Sequence, residues 1–213
     1  RPEDVKAGLP SLVALGRRGV RAEGLVPVDP TNTFPNHVSL ATGVRPEVHR
    51  LVNNGFVDPE RGQYSQDDPS EPWIEAEPIW SIAERSGIPT ASFYWVGSEG
   101  PTKNGVAPRE WRKFSSRTRE KTKVDQILKW LAIDDPEERP RLITAWLHGA
   151  DHAGHDEGPG SPDIAEALAP HGPEGRVDRH GATTARLFGH KLVRIAFFGG
   201  FDDVRGRQGH GAA

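Results

Sequence analysis

Apolar residues of helical and of strand period alternate along this chain, and that alternation constrains the fold more than any composition figure. Residues 9–16 place Leu9, Leu12, Val13 and Leu15 at helical spacing and stop at Gly16. Residues 19–28 read as a short strand through Leu25, Val26 and Val28, with Pro27 and Pro30 limiting its length. A hydroxyl-bearing entry, Pro35 in the first turn, Val38 and Leu40 inside and Gly43 at the close mark 33–43 as a short helix. The spacing then predicts a helix over 79–86 and a buried, aromatic and β-branched strand over 90–96. An amphipathic helix over 118–133, with Val124, Ile127, Leu128 and Leu131 on one face, precedes a strand over 142–147. Between these, Asn53-Asn54-Gly55 signals a turn, 58–72 a polar surface loop, and 97–109 a loop punctuated by Gly and Pro. Helix and strand in alternation imply an α/β fold with a largely parallel sheet flanked by helices. Ligands of such sheets lie beyond the carboxyl ends of the strands.

A length of 213 residues suits one such domain and is short for two. The net charge of −3 gives no reason to expect a nucleic-acid polymer as partner. A phosphorylated small molecule would have to be met locally, by metal ions or a few cations. With no cysteine, the chain has no disulfides and no thiolate zinc site, which fits a cytoplasmic or an extracytoplasmic setting equally. No apolar run reaches the length of a membrane span. The chain carries no methionine and opens on Arg1-Pro2-Glu3-Asp4, which reads as a cut N-terminus from which a signal peptide could have been lost. Residues 161–169 read as a helix start. Beyond Pro170 the pattern dissolves into Gly, Arg and His around one apolar run, 192–198.

Two places carry candidate chemistry, each just after an expected strand. Thr33 heads the short helix, where unpaired N–H groups and the positive end of the helix dipole favour an ordinary N-cap or an activated nucleophile. Asp151 and His155 stand four residues apart and suit a zinc-like divalent ion, although the segment reads equally well as a polar loop. His148, His152 and His155 share helical spacing, but Gly149 and Gly154 argue against a helix there.

The run from Thr31 to Asn54 contains T-F-P-N-H, then T-G-x-x-P-x-x-H, then Asn53-Asn54. A second block runs from Leu142 through Asp151, His155 and Gly158-Pro159-Gly160-Ser161-Pro162, and Gly97-Ser98-Glu99 connects the two. Together they resemble the nucleotide pyrophosphatase/phosphodiesterase family of the alkaline phosphatase superfamily, over roughly residues 1–168. The resemblance implies an alkaline phosphatase-like α/β fold and a hydrolase of phosphodiester or pyrophosphate bonds. It implies Thr33 as a nucleophile that also touches one of two zinc ions, with a phosphothreonine as intermediate. Asn54 would hold a non-bridging phosphoryl oxygen, and Asp151 and His155 would ligate the other zinc. Phe34 would pack on a nucleotide base, with Phe114 as the opposite wall of that clamp. His37 and His49 belong to the motif as buried, hydrogen-bonded structural residues. A neutral Asn54, in place of an arginine, suits a diester or pyrophosphate of a small molecule better than a monoester.

The resemblance also sets out what is missing. The family's first metal Asp falls just before Arg1, its S-D-H-G segment is not found, and Gln208-Gly209-His210-Gly211 is the nearest echo. The domain at 1–168 is therefore expected to be incomplete at both ends, with 169–213 an atypical tail, out of frame or disordered. With two ligands for one zinc and one for the other, this fragment is expected to be inactive. The alternative is a non-catalytic nucleotide- or metal-binding remnant in which Thr33 is only a cap.

Overall fold

A computed structural model describes residues 17–20, 22, 24–66, 73–100, 102–103, 105–148, 151, 154–156 and 158, and the backbone of 194–198. The helices expected at 9–16 and 161–169 lie outside the described residues.

The first helix, α1 (Thr33–Thr42), keeps the expected bounds. Gly43 closes it in the left-handed region (φ 72°), its N–H donating to the Ser39 carbonyl, a conformation glycine adopts without the Cβ penalty. A one-turn helix, α2 (Pro46–His49), follows, then the hairpin β1 (Gly55–Asp58) and β2 (Gly62–Ser65). Next come α3 (Ile79–Arg85), β3 (Thr90–Phe93), β4 (Glu110–Arg112), α4 (Glu120–Leu131), β5 (Leu142–Trp146) and β6 (Arg194–Phe198). The last four strands form one sheet in the order β4-β3-β5-β6, and every pairing in it is parallel. The expected parallel sheet is therefore present, and the apolar run near 192–198 supplies its edge strand.

Strand pleating explains why helices lie on both faces. Ala91 and Phe93 of β3 stand in register with Ile143 and Ala145 of β5, and all four are buried with Ile127, Trp130 and Leu131 of α4. The opposite face carries hydroxyls, and each has a partner. Thr90 Oγ1 donates to Glu84 Oε1 of α3 at 2.8 Å, Thr144 Oγ1 donates to Ser92 Oγ at 2.9 Å, and Ser92 Oγ donates to Ser98 Oγ at 2.7 Å. Paired in this way, the hydroxyls escape most of the desolvation cost that lone buried ones would carry.

Three expectations need correction. Residues 24–28 form no strand: Leu25 and Val26 are exposed, and the Val28 N–H bonds to the Asn36 side chain instead of a neighbouring strand. Pro27 lacks an N–H, and no partner strand among the described residues supplies a ladder. The polar stretch after Asp58 is a hairpin, not a loop, as far as residue 65. Asp58 Oδ1 accepts the N–H groups of Glu60 and Arg61 in the turn, Gly62 takes φ 85°, and Phe56 and Tyr64 pack on Trp73. The buried face of α4 comprises Lys123, Ile127, Trp130 and Leu131, whereas Val124 and Leu128 are only half-buried. The helix is thus rotated from its apolar reading to bury a lysine. No helix of the described residues is long and apolar enough to cross a membrane.

Candidate active site

The segment entering α1 joins no sheet among the described residues, and side chains satisfy its backbone. Asn36 is buried in the first turns of the helix. Its Oδ1 accepts the Val28 N–H at 2.8 Å, and its Nδ2 donates to the carbonyls of Asn32 (2.9 Å) and Pro30 (3.1 Å). These bonds tie residues 28–32 to the helix they introduce. Asn32 occupies the cap position with extended backbone, but its side chain forms no cap bond; its Nδ2 donates to Asn53 Oδ1 instead. Thr33 is consequently the first residue of the helix rather than its cap, and its hydroxyl bonds to no described residue. In this geometry the cap position falls on Asn32, one residue before Thr33.

Asn54 is drawn to the same point. Its Oδ1 accepts the Phe34 N–H at 2.9 Å, and its backbone is pinned on both sides: its carbonyl accepts the Gln66 N–H at 3.1 Å, and its own N–H donates to Asn53 Oδ1 at 2.8 Å. Because a backbone N–H can be received only by the carboxamide oxygen, the bond also settles which end of the amide is which. The Nδ2 end has no partner among the described residues. Thr33 and Asn54, 21 positions apart, are thereby brought to the same helix N-terminus.

His37 and His49 are both fully buried, as expected of structural residues. His37 Nδ1 donates to the Thr33 carbonyl at 2.8 Å, and its ring meets Trp95 and Trp146 edge-on at 5.0 and 5.6 Å. Burial lowers its pKa from 6.5 to about 4, so the ring is neutral at ordinary pH. In His49, Nδ1 accepts the Leu51 N–H at 3.2 Å and Nε2 donates to Ser39 Oγ at 2.9 Å; burial lowers its pKa as well. Through the His37–Trp146 contact, the helix that starts with Thr33 reaches the last residue of β5.

The end of β5 is an aromatic shelf. Phe114 stacks on Trp146 (5.6 Å, 19°) and meets Tyr94 and His148 edge-on at 5.2 and 5.9 Å. The Phe114 N–H is held by Glu99 Oε1 at 2.8 Å, and burial raises the pKa of that carboxyl. Tyr94, itself at φ 66°, exchanges a hydrogen bond with Thr118 Oγ1 at 2.7 Å. Phe34 is edge-on to Tyr64 at 6.4 Å, and no ring contact joins it to Phe114.

Asp151 and His155 do meet: Asp151 Oδ1 lies 3.7 Å from His155 Nε2, one helical turn apart. The carboxylate is largely covered and the imidazole 72% exposed. Residues 151 and 154–156 are helical, which the glycines argued against. Among the described residues no group of three or more His, Cys, Asp or Glu could hold a metal ion. A groove of about 190 Å³ is lined by Val26, Val28, Leu40 and Arg45 among others, and by none of Thr33, Asn54, Asp151 or His155.

Sequence reasoning missed Lys123. Its side chain is 0% exposed, and its ammonium donates to Glu120 Oε1 (3.0 Å), the Trp146 carbonyl (3.1 Å) and His148 Nδ1. Desolvation lowers its pKa while Glu120 works against that shift. Only a tertiary partner 23 or more positions away reveals such a lysine, so no local pattern could have found it.

The sequence model of the type I phosphodiesterase / nucleotide pyrophosphatase family matches residues 1–171. An uncharacterized pyrophosphatase/phosphodiesterase from Schizosaccharomyces pombe is 38% identical over 162 residues, 73% of this chain and 33% of that protein. Human ectonucleotide pyrophosphatase/phosphodiesterase family member 1 is 32% identical over 164 residues, 75% of this chain and 18% of that protein. Murine ectonucleotide pyrophosphatase/phosphodiesterase 5 aligns with a TM-score of 0.72 at 22% identity, over 92% of this chain and 52% of its own. An inactive threonine-to-alanine form of the murine protein, in complex with AMP, aligns equally well. The fold is thus alkaline phosphatase-like, and the chain spans between about a fifth and about a half of the length of these relatives.

Proposed function

Because this chain belongs to the type I phosphodiesterase / nucleotide pyrophosphatase family, we propose that it carries the nucleophile and one metal arm of a hydrolase. The bonds opened are phosphodiester or pyrophosphate bonds of small molecules, through a phosphothreonine on Thr33. One observation carries the reading. A hydroxyl with no partner among the described residues stands on the first residue of a helix, and a carboxamide fixed at the same helix end has an NH₂ group with no partner among them.

In this reading Thr33 Oγ attacks phosphorus in line with the departing oxygen. The Oγ–P bond forms as the P–O bond to the leaving group breaks, and the hydroxyl proton passes to solvent or to the departing oxygen. Asn54 Nδ2 donates to a non-bridging oxygen, and the positive end of α1 favours the negative charge gathering there. Water then attacks the phosphothreonine, the Oγ–P bond breaks and Thr33 regains a proton. A single neutral amide is suited to the lower charge of a diester. Phe34 and Phe114 are proposed as walls for a base; the AMP held by the murine relative is a ligand of that kind.

Asp151 and His155 fit one divalent ion, since an oxygen and a nitrogen donor 3.7 Å apart can share a zinc at about 2.0–2.2 Å from each. Thr33 is proposed to touch a second ion. When bound, such ions supply Lewis-acid charge at the attacking and leaving oxygens. A catalytic zinc takes about three protein ligands, so tight binding is expected only where further donors join these two. That shortfall among the described residues is what favours the second reading, a non-catalytic nucleotide- or metal-binding domain.

The test is hydrolysis of a p-nitrophenyl phosphodiester by the full-length protein and its Thr33→Ala variant. Turnover is expected to fall by at least about 10³-fold while affinity for AMP and zinc is retained. Undiminished turnover in Thr33→Ala would exclude covalent catalysis at this residue. Absence of both turnover and zinc binding in the wild type would favour the non-catalytic domain.

A further inference from the structure

The end of β5 is held from beneath by one buried cation. Lys123 uses all three ammonium protons, on Glu120 Oε1, the Trp146 carbonyl and His148 Nδ1, and none of them is left for solvent. Its position is otherwise unfavourable: it sits in the first turn of α4, at the positive end of that helix dipole, and is fully buried. Glu120, the first residue of the same helix, offsets both costs.

Each of the other two bonds acts on the segment leading to Asp151. Trp146 is the last residue of β5, so the bond to its carbonyl fixes where the strand leaves the sheet. The bond to His148 makes Nδ1 the acceptor and so places the ring proton on Nε2, which fixes that side chain's tautomer and rotation. His148 is three residues before Asp151. The ammonium also lies 5.3 Å from the centre of the Tyr94 ring, and Tyr94 and Trp146 both pack on Phe114.

We propose that Lys123 is a positioning residue that holds the Asp151–His155 arm and the Phe114 shelf in one fixed relation, and so sets metal affinity and substrate fit together. The inference rests on the metal reading above. The cation touches neither the substrate nor the proposed ligands; it acts through Trp146, His148 and Tyr94.

The experiment compares full-length wild type with Lys123→Met and Lys123→Arg. Zinc affinity is read by titration of tryptophan fluorescence, and kcat and KM are read on a p-nitrophenyl phosphodiester. Lys123→Met is expected to weaken zinc binding by about 10–100-fold, the range typical when a residue supporting metal ligands is lost. Its KM is expected to rise as well, because the shelf moves with the arm. Lys123→Arg keeps a charged donor at the same place, and zinc affinity within about threefold of wild type is expected. A folded Lys123→Met with unchanged zinc affinity and KM would overturn the proposal, as would an arginine variant no better than methionine. Should the methionine variant fail to fold, Lys123→Gln is judged by the same two readouts. Wild type that takes up no zinc would overturn the metal reading, and this inference with it. Wild type that binds zinc alongside an indifferent Lys123→Met would overturn this inference alone.

Discussion

The two arms of the candidate site are built differently. Around Thr33 the scaffold is a set of bonds among asparagine side chains and backbone that all close within residues 28–54. Asn36 holds residues 28–32, Asn54 holds Phe34, and Asn53 receives both Asn32 and Asn54. Around Asp151 the supports come from far along the chain, from Lys123 on α4 and Phe114 after β4. The first arm resembles a casting, in which asparagine side chains commit the backbone donors and acceptors around Thr33. The second is a cantilever, whose position depends on one cation and one aromatic stack. A chain built this way should lose chemistry when the first arm is cut and lose binding when the second is loosened.

After Thr33 itself, the sharpest break is expected at Asn54. Asn54→Ala removes the proposed donor to the phosphoryl oxygen and the acceptor for the Phe34 N–H. Loss of one such donor in other enzymes costs about 10²–10³-fold in kcat, about 2.7–4 kcal/mol. The fall should appear in kcat with KM little changed, measured on a p-nitrophenyl phosphodiester. A loss confined to KM would move Asn54 from the chemistry to substrate binding.

His37 joins the arms, so its protonation should loosen both. Its folded pKa of about 4 lies below the 6.5 of the free side chain. Between those values the unfolded chain binds the extra proton, so stability rises with pH across the window and is lost as pH falls through it. Below about pH 4 both states are protonated and the loss saturates. The difference corresponds to about 3 kcal/mol, at about 1.4 kcal/mol per unit. Urea unfolding between pH 7 and pH 4 should show this fall in wild type and a shallower one in His37→Gln. The comparison with the variant matters, because burial lowers the His49 pKa too and adds a loss of the same sign. Identical slopes in the two proteins would remove His37 as the titrating link.

This contrast also explains what the sequence revealed. Thr33, Phe34, Asn36 and His37 lie within one turn and a half of α1, and their bonding partners sit no further than Val28 and Asn54. A contiguous motif therefore contains almost the whole arm. The parallel sheet was legible for a related reason: β3 and β5 are short, largely buried segments whose aromatic, β-branched and small residues read as strand despite the hydroxyls of Thr90, Ser92 and Thr144. Lys123 and the hairpin were not. A lysine in an amphipathic pattern reads as solvent-facing until Trp146 and His148 arrive from elsewhere in the chain. The hairpin has four-residue strands, with Val57 76% exposed, and is held by Tyr64 and Phe56 packing on Trp73 rather than by alternation. Residues 24–28 mislead in the opposite direction: β-branched and leucine side chains suggest a strand where no described residue pairs with them.

A weaker break tests the shelf. Phe114→Ala removes a ring that stacks on Trp146 and leaves the metal arm's hydrogen bonds in place. An aromatic pair contributes about 0.5–1.5 kcal/mol beyond its buried area. KM for a nucleotide substrate should rise roughly tenfold, with kcat changed far less. A smaller rise for a substrate without a base would place Phe114 on the base rather than the phosphate.

The smallest expected effect probes how redundant the first arm is. Ser39→Ala removes the hydroxyl partner of His49 Nε2, while the Pro35 backbone and the Leu51 N–H still bond the ring. Ser39 is only half-buried, so water can replace the lost oxygen in part, and the cost should be about 1 kcal/mol instead of the larger penalty of a dry unsatisfied group. Denaturant unfolding measures it, and turnover should be untouched, because Thr33 and Asn54 do not depend on this bond. Turnover lost together with stability would mean that the closing turns of α1 hold Thr33 in place, and that the first arm is no more self-sufficient than the second.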